Sequence, residues 1–443
     1  MLKELFTNYK FPSGAPLIVI FYLFNLFLTN FGLPLYPAYS FFFYYGLFYL
    51  ILHLSVGSGI KISETKIFFM HLFVVFYLIA MYLFHAAGLI ERENIHIWNF
   101  NSSLKYLSIL MASLVVIVTP MKNIIKSLVI IRNISYLIIF LACNHLLLKL
   151  FGLNFLTSDF LSGYRFDGGL NSYIMTGQFL LAGFIAHLQL SSKLKFNNFL
   201  KILAFFGIAI IATKDRTTIL SMIIILTALL YRSGYGANPF LFKIPKSIIL
   251  IAVMPAILSF FFLQAQIVNS GNIDTYKSTI NRVVLAIRSY EIFRESFPLG
   301  YGPGSQTYLM YDAKISQSFD EGSEGSVLSS ALVKEIKNWE QRAGSSEERN
   351  SPHNTYFDIL IPFGAVGLLF VLCIFAIQFK AFVRLFYSKN TINTVYLDSF
   401  FLSSCIFFLF SSLSHIIWLY IIFYRVFLYK SMENQKIWIT AKP

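Results

Sequence analysis

The sequence predicts an all-α, polytopic membrane protein with about twelve transmembrane helices and one large loop outside the cytoplasm. Three observations predict it. Of the 443 residues, 57% are hydrophobic and only 13% are charged, about half the charged share of soluble domains. Apolar runs near the 20 or so residues that a spanning helix needs recur along the chain. Between two of them lies one long polar segment.

The runs fall near 16–33, 36–56, 67–89, 103–119, 127–151, 172–190, 197–213, 217–231, 247–266, 354–379, 392–410 and 412–429. The stretch "ATKDRTTIL", from Ala212 to Leu220, separates the seventh from the eighth. "SSLSH", ending at His415, barely separates the last two. Three blocks follow: residues 1–266 with nine spans, a loop over 267–352, and residues 353–443 with three spans. From Val268 to Pro352 the chain is rich in Gly, Ser, Glu and Lys, with one amphipathic helix expected around Leu328–Trp339. Structureless loops of that length are usually functional.

Basic residues set the orientation. Lys3 and Lys10 precede the first span, and alternate loops carry Lys61 and Lys66, Lys122 and Lys126, Lys193 and Lys195, Arg232 with Lys243 and Lys246, and Lys380 with Arg384 and Lys389. The tail adds Lys430, Lys436 and Lys442. Both termini are therefore expected in the cytoplasm. The formal charge of +14 reads as cytoplasmic loop charge, with no patch for nucleic acid. The short polar stretch Met1–Lys10 leads straight into apolar segments, so no cleavable signal is expected. Cys143, Cys373 and Cys405 lie in apolar surroundings without zinc or disulfide spacing.

The polar features expected outside the cytoplasm are few. Arg165 precedes the sixth span. Lys214, Asp215 and Arg216 sit on a short turn. Arg282, Arg288 and Arg294 precede a Pro-Leu-Gly-Tyr-Gly-Pro-Gly run ending at Gly304. Last comes Pro352-His353-Asn354. Arginines near hydrocarbon are costly and suggest a site. Guanidinium binds phosphate bidentately and keeps its charge. Any one of them can also be an interfacial snorkelling residue, and Arg132 is read that way.

Ser351 can cap a helix whose first residue is Pro352. That places His353 and Asn354 in the first turn, where free amides favour an anion and keep the imidazole neutral. Gly364 and Gly367 are expected to form a small-residue face for a packed neighbouring helix. A histidine at a membrane interface with no chemistry is the bland alternative for His353. The other histidines show no repeated ligand spacing, and no metal or other cofactor is expected. His415 is a secondary candidate.

With these residues in view, the chain resembles the bacterial O-antigen polymerase and O-antigen ligase superfamily, most closely over about Ala212–Leu369. "Arg216-Thr-Thr-Ile-Leu220" resembles its Arg-x-x-x-Leu element. "Arg282…Pro298-Leu-Gly-Tyr-Gly-Pro-Gly304" resembles its Arg…Pro-x-x-Gly-x-Gly stretch. His353-Asn354 followed by Gly364-Ala-Val-Gly367 fits its His-Asn…Gly-x-x-Gly element. The resemblance implies an inner-membrane, GT-C-like glycosyltransferase acting at the periplasmic face without metal or nucleotide sugar. Its donor is a glycan on undecaprenyl pyrophosphate. Catalytic roles then fall to His353 as base and to Arg216 and Arg282. Arg288, Arg165, Asn354 and Lys214 bind substrate. Arg282 and Arg288 stand as alternatives for the pyrophosphate contact.

Implied partners are the lipid-linked oligosaccharide, an acceptor glycan lipid, the bilayer and a chain-length regulator. A polymerase joins the glycan to another lipid-linked repeat, a ligase to lipid A core, and a third variant to protein. The sequence leans to polymerase. A flippase is the rival from another class, but it would bury polar residues along several spans and pair broken helices.

Overall fold

A computed structural model describes residues 14–29, 36–55, 100–151, 173–191, 196–213, 215–233, 297–302, 355–387, 394–410 and 417–440, with parts of 68–80 and 286–295. Among the described residues the elements are helical. They are α1 (Ala15–Thr29), α2 (Tyr36–Ser55), α3 (Phe100–Val118), α4 (Met121–Phe151), α5 (Tyr173–Leu190), α6 (Phe196–Thr213), α7 (Arg216–Ser233), α8 (Thr355–Tyr387), α9 (Val395–Phe410) and α10 (Ile417–Thr440). They fall on ten of the segments expected to be helical. The expected third segment is described only in part, and 247–266 and the amphipathic helix at 328–339 lie outside the described residues.

By length and apolarity alone, Met121–Asn144 within α4 and the whole of α8 are long enough to cross a membrane. α4 begins earlier than the apolar pattern suggested. Pro120 stands just before it, where its missing N–H costs nothing, and its carbonyl accepts from Asn123 N at 2.9 Å. Lys122 and Lys126 therefore belong to the helix. The outer surface is strongly apolar: Phe140 and Phe379 are each 67% exposed and Ile211 63%. Side chains of this kind on many helices suit lipid contact, since soluble monomers rarely expose large apolar patches.

Helices pack in pairs, α2 on α3, α4 on α5 and α8 on α9, while α7 packs on α9 and α3 on α10. The main core is aromatic, with Phe184, Phe206, Phe400, Phe423, Phe427 and Trp418 fully buried. The closest helix approaches fall on small residues. A Cβ on Gly183 of α5 would lie 1.9 Å from Ser135 Oγ of α4, and one on Gly177 would lie 2.6 Å from Thr218 Oγ1 of α7. Arg425 of α10 is 6% exposed. Its Nη1 donates to the carbonyls of Val116 and Thr119, each at 2.7 Å, and to that of Ile117. A cation thus satisfies the orphan carbonyls at the negative end of α3 and ties the last helix to the first half of the chain.

Candidate active site

α7 starts with its own cap. Asp215 is 5% exposed. Its Oδ1 accepts from Thr217 N at 3.3 Å and Thr217 Oγ1 at 2.6 Å. Its Oδ2 accepts from Thr218 N at 3.2 Å and from Thr218 Oγ1. Behind it, Asp215 N donates to Thr213 Oγ1 at 3.2 Å. The carboxylate is therefore the N-cap, and the amides that would otherwise attract an anion are occupied. Arg216 is the first helical residue.

α8 is not the continuous span that the apolar run suggested. Pro362 lies inside it, and Gly364 adopts φ 50, ψ −124, which breaks the helix. The break frees backbone groups, and a second segment takes them up. Tyr301 N donates to Ile361 O and Gly302 N to Pro362 O, both at 3.0 Å, while Ala365 N donates to Pro298 O at 2.7 Å. Tyr77 adds its hydroxyl to Leu299 O. Residues 298–302 are thus zipped onto the break.

No side chain fits there. A Cβ on Gly364 would lie 2.2 Å from Pro298 O, and one on Gly300 would lie 2.4 Å from Pro362 O. Gly367 has a local role as well, since its Cβ would meet Ile359 O at 2.4 Å. The expected small-residue face for a separate helix is corrected accordingly. Both glycines serve the break, and the close helix crossings lie at Gly183 and Gly177.

The break folds α8 back on itself. A straight helix would hold Tyr356 and Gln378 about 33 Å apart at 1.5 Å per residue. Instead Tyr356 OH donates to Gln378 Oε1 at 3.2 Å, and the Tyr356 ring stacks on Phe375 at 4.7 Å. The first arm, 355–363, also packs beside α3, with Tyr106 OH 3.4 Å from Asp358 O and the Tyr106 and Phe363 rings 5.6 Å apart. The second arm, from Ala365 to Tyr387, is still about 34 Å long, enough for a hydrocarbon core of about 30 Å.

A chain of polar contacts then joins the starts of α7 and α8 through α9. Gln378 Nε2 donates to Ser404 Oγ at 3.0 Å, and Ser221 Oγ of α7 reaches Ser403 O at 3.5 Å. Gln378, Ser403, Ser404 and Ser221 are all buried. Ser221 lies about 7.5 Å along the helix axis from Arg216. Tyr356 follows Asn354 by two positions in the sequence.

Of the expected site residues, Arg216 is placed at the first position of α7. Arg165, Lys214, Arg282, Arg288, His353 and Asn354 lie outside the described residues, as do Ser351, Pro352 and His415. Among the described residues no three His, Cys, Asp or Glu side chains gather as metal ligands. Sequence reading missed the Asp215 cap, the glycine zipper and the Tyr356–Gln378–Ser404 contacts. The first had a signal in Asp-x-Thr-Thr before an apolar run. The break had one in Pro362-Phe-Gly364 inside a helical pattern.

Residues 201–372 match the family model described as O-Antigen ligase. The stretch is an O-antigen ligase family domain. It supports the O-antigen polymerase and ligase superfamily, and it takes in α7, the 298–302 strip and the break in α8. At that level the family implies a glycosyltransferase-like ligase or polymerase activity. A comparison with curated proteins finds no match.

Proposed function

We propose that the protein transfers a glycan from undecaprenyl pyrophosphate to an acceptor hydroxyl at the periplasmic face, with both termini in the cytoplasm and a second lipid-linked repeat unit as acceptor. What supports this reading is the chain of contacts that joins the first turns of α7 and α8 through α9, within the stretch that matches the family model. In the reaction the acceptor oxygen attacks the anomeric carbon and the bond to the pyrophosphate oxygen breaks. His353 takes the acceptor proton. Arg216, with Arg282 or Arg288, stabilises the charge growing on the pyrophosphate. Arg165 and Lys214 add binding charge, and Asn354 orients an oxygen. In-line displacement inverts the anomeric centre. The family's description favours a second acceptor, lipid A core, for the same chemistry.

The test uses purified protein with a lipid-linked donor and either acceptor, and product length is read on a gel. A ladder formed with the lipid-linked repeat alone supports the polymerase. Product on lipid A core alone selects the ligase. His353→Ala should cost about 10²–10⁴-fold in turnover, and Arg216→Lys should fail to restore activity. Near-normal turnover by a folded His353→Ala protein would overturn the base role.

A further inference from the structure

Between Phe370 and Lys380, α8 and α10 stand apart, and a cavity of about 360 Å³ fills the gap. This is within the roughly 300–1,000 Å³ of ordinary ligand sites. Phe401 and Phe408 of α9, Ile377 of α8 and Tyr424 of α10 line it. It opens sideways, because Cys373, Ala376 and Lys380 along its α8 wall are exposed. The apolar exterior places that opening against lipid.

One end of the groove is charged. Lys380 lines it, and Arg384, one turn further on, lies 4.5 Å above the Phe427 ring and links α8 to α10. Behind them Asp398 of α9 is fully buried and accepts from Thr394 Oγ1 at 2.7 Å. Asp398 interacts electrostatically with Arg384, Arg232 and Lys380. Three cations thus lie around one carboxylate. Lys380 and Arg384 place positive charge at one end of an apolar, aromatic trough. A soluble anion would leave the trough unfilled. A peptide would bring backbone groups that the apolar walls cannot satisfy. A lipid supplies both an anionic head and an apolar body, and basic pockets between membrane helices take such head groups.

We propose that this groove binds an anionic diacyl phospholipid, its phosphate on Lys380 and Arg384 and an acyl chain along Phe401 and Phe408 toward Phe370. The groove shares Gln378 and Ser404 with the contacts that join the starts of α7 and α8.

The test is native mass spectrometry of the full chain in detergent, titrated with phosphatidylglycerol or with phosphatidylcholine of the same acyl chains. One phosphatidylglycerol adduct should persist at a concentration about tenfold lower than the phosphatidylcholine adduct. Lys380→Gln, an exposed position whose change leaves the core intact, should remove most of that preference. Ala376→Phe, which fills the groove, should reduce binding of both lipids. Equal binding of the two lipids by the unaltered protein would overturn the proposal, as would a preference unchanged in Lys380→Gln. Displacement of phosphatidylglycerol by equimolar undecaprenyl phosphate would also overturn it, by assigning the groove to the carrier's tail.

Discussion

α7 and the first arm of α8 both reach α9, but opposite means hold the start of α7 and the break in α8. α7 is capped from within: Asp215 answers the amides and hydroxyls of Thr217 and Thr218, and no other segment takes part in those four contacts. α8 is shaped from outside. Its break at Gly364 exists only because Pro298, Tyr301 and Gly302 supply the partners that a straight helix would have supplied itself. A self-contained cap tolerates rearrangement elsewhere. A zipped break holds α8 and residues 298–302 as one unit, so the two family motifs that meet there cannot move apart.

The comparison breaks most sharply at Gly364. An alanine there must accept a positive φ and a Cβ 2.2 Å from the Pro298 carbonyl, which cannot retreat because it accepts from Ala365 N. Strain of about 1–3 kcal/mol and overpacking of about 1–3 kcal/mol act together. Gly364→Ala and Gly300→Ala should each lower the melting point in detergent more than Asp215→Ala, Tyr356→Phe or Gln378→Leu does. Gly207 is the control. It sits in α6, and a Cβ on it would meet nothing within 4 Å, so Gly207→Ala should be neutral or slightly stabilising. A Gly364→Ala protein that melts like Gly207→Ala would mean that the zipper does not hold the break.

On the α7 side the effect is smaller. Asp215→Ala should cost about 1 kcal/mol, within the usual range of about 0.5–2 for a cap. Asp215→Asn should recover much of it, because its one acceptor oxygen can still serve an amide. The readout is the same melting curve. Equal losses in the two variants would mean that the carboxylate's charge, and not its geometry, supports the helix start.

The cap and the break also divide what the sequence made legible. The positions of the helices came from composition, because apolar length is a local property. The Asp-Arg-Thr-Thr cap is local too, four consecutive residues whose chemistry is readable in place. The zipper is not, since its partners are remote in sequence and bond through backbone atoms that leave little trace beyond glycines. Gly364 and Gly367 were thus readable as special but not as a break, because a small-residue packing face would use the same glycine spacing. Gln378 is a further case. One amide in a run of apolar residues points to a buried contact, but its partner Tyr356 becomes a neighbour only after the helix has turned back.

The smallest expected effect tests that turn directly. Tyr356→Phe removes the hydroxyl that reaches Gln378, and Gln378→Leu removes the amide that reaches Tyr356 and Ser404. Each should cost about 0.5–1.5 kcal/mol, with Gln378→Leu the larger because it ends two contacts. If the two side chains touch, the double variant should cost less than the sum of the singles. The shortfall should be near 0.6 kcal/mol, the average for hydrogen bonds between helices in a membrane. The sign of that coupling decides the geometry. In a straight α8 the two residues would be about 33 Å apart, and changes at that distance add without coupling. Strict additivity would therefore unfold the hairpin and return α8 to a single span. A measurable shortfall fixes the first arm against the second, with the start of α8 beside the helix that also receives α7.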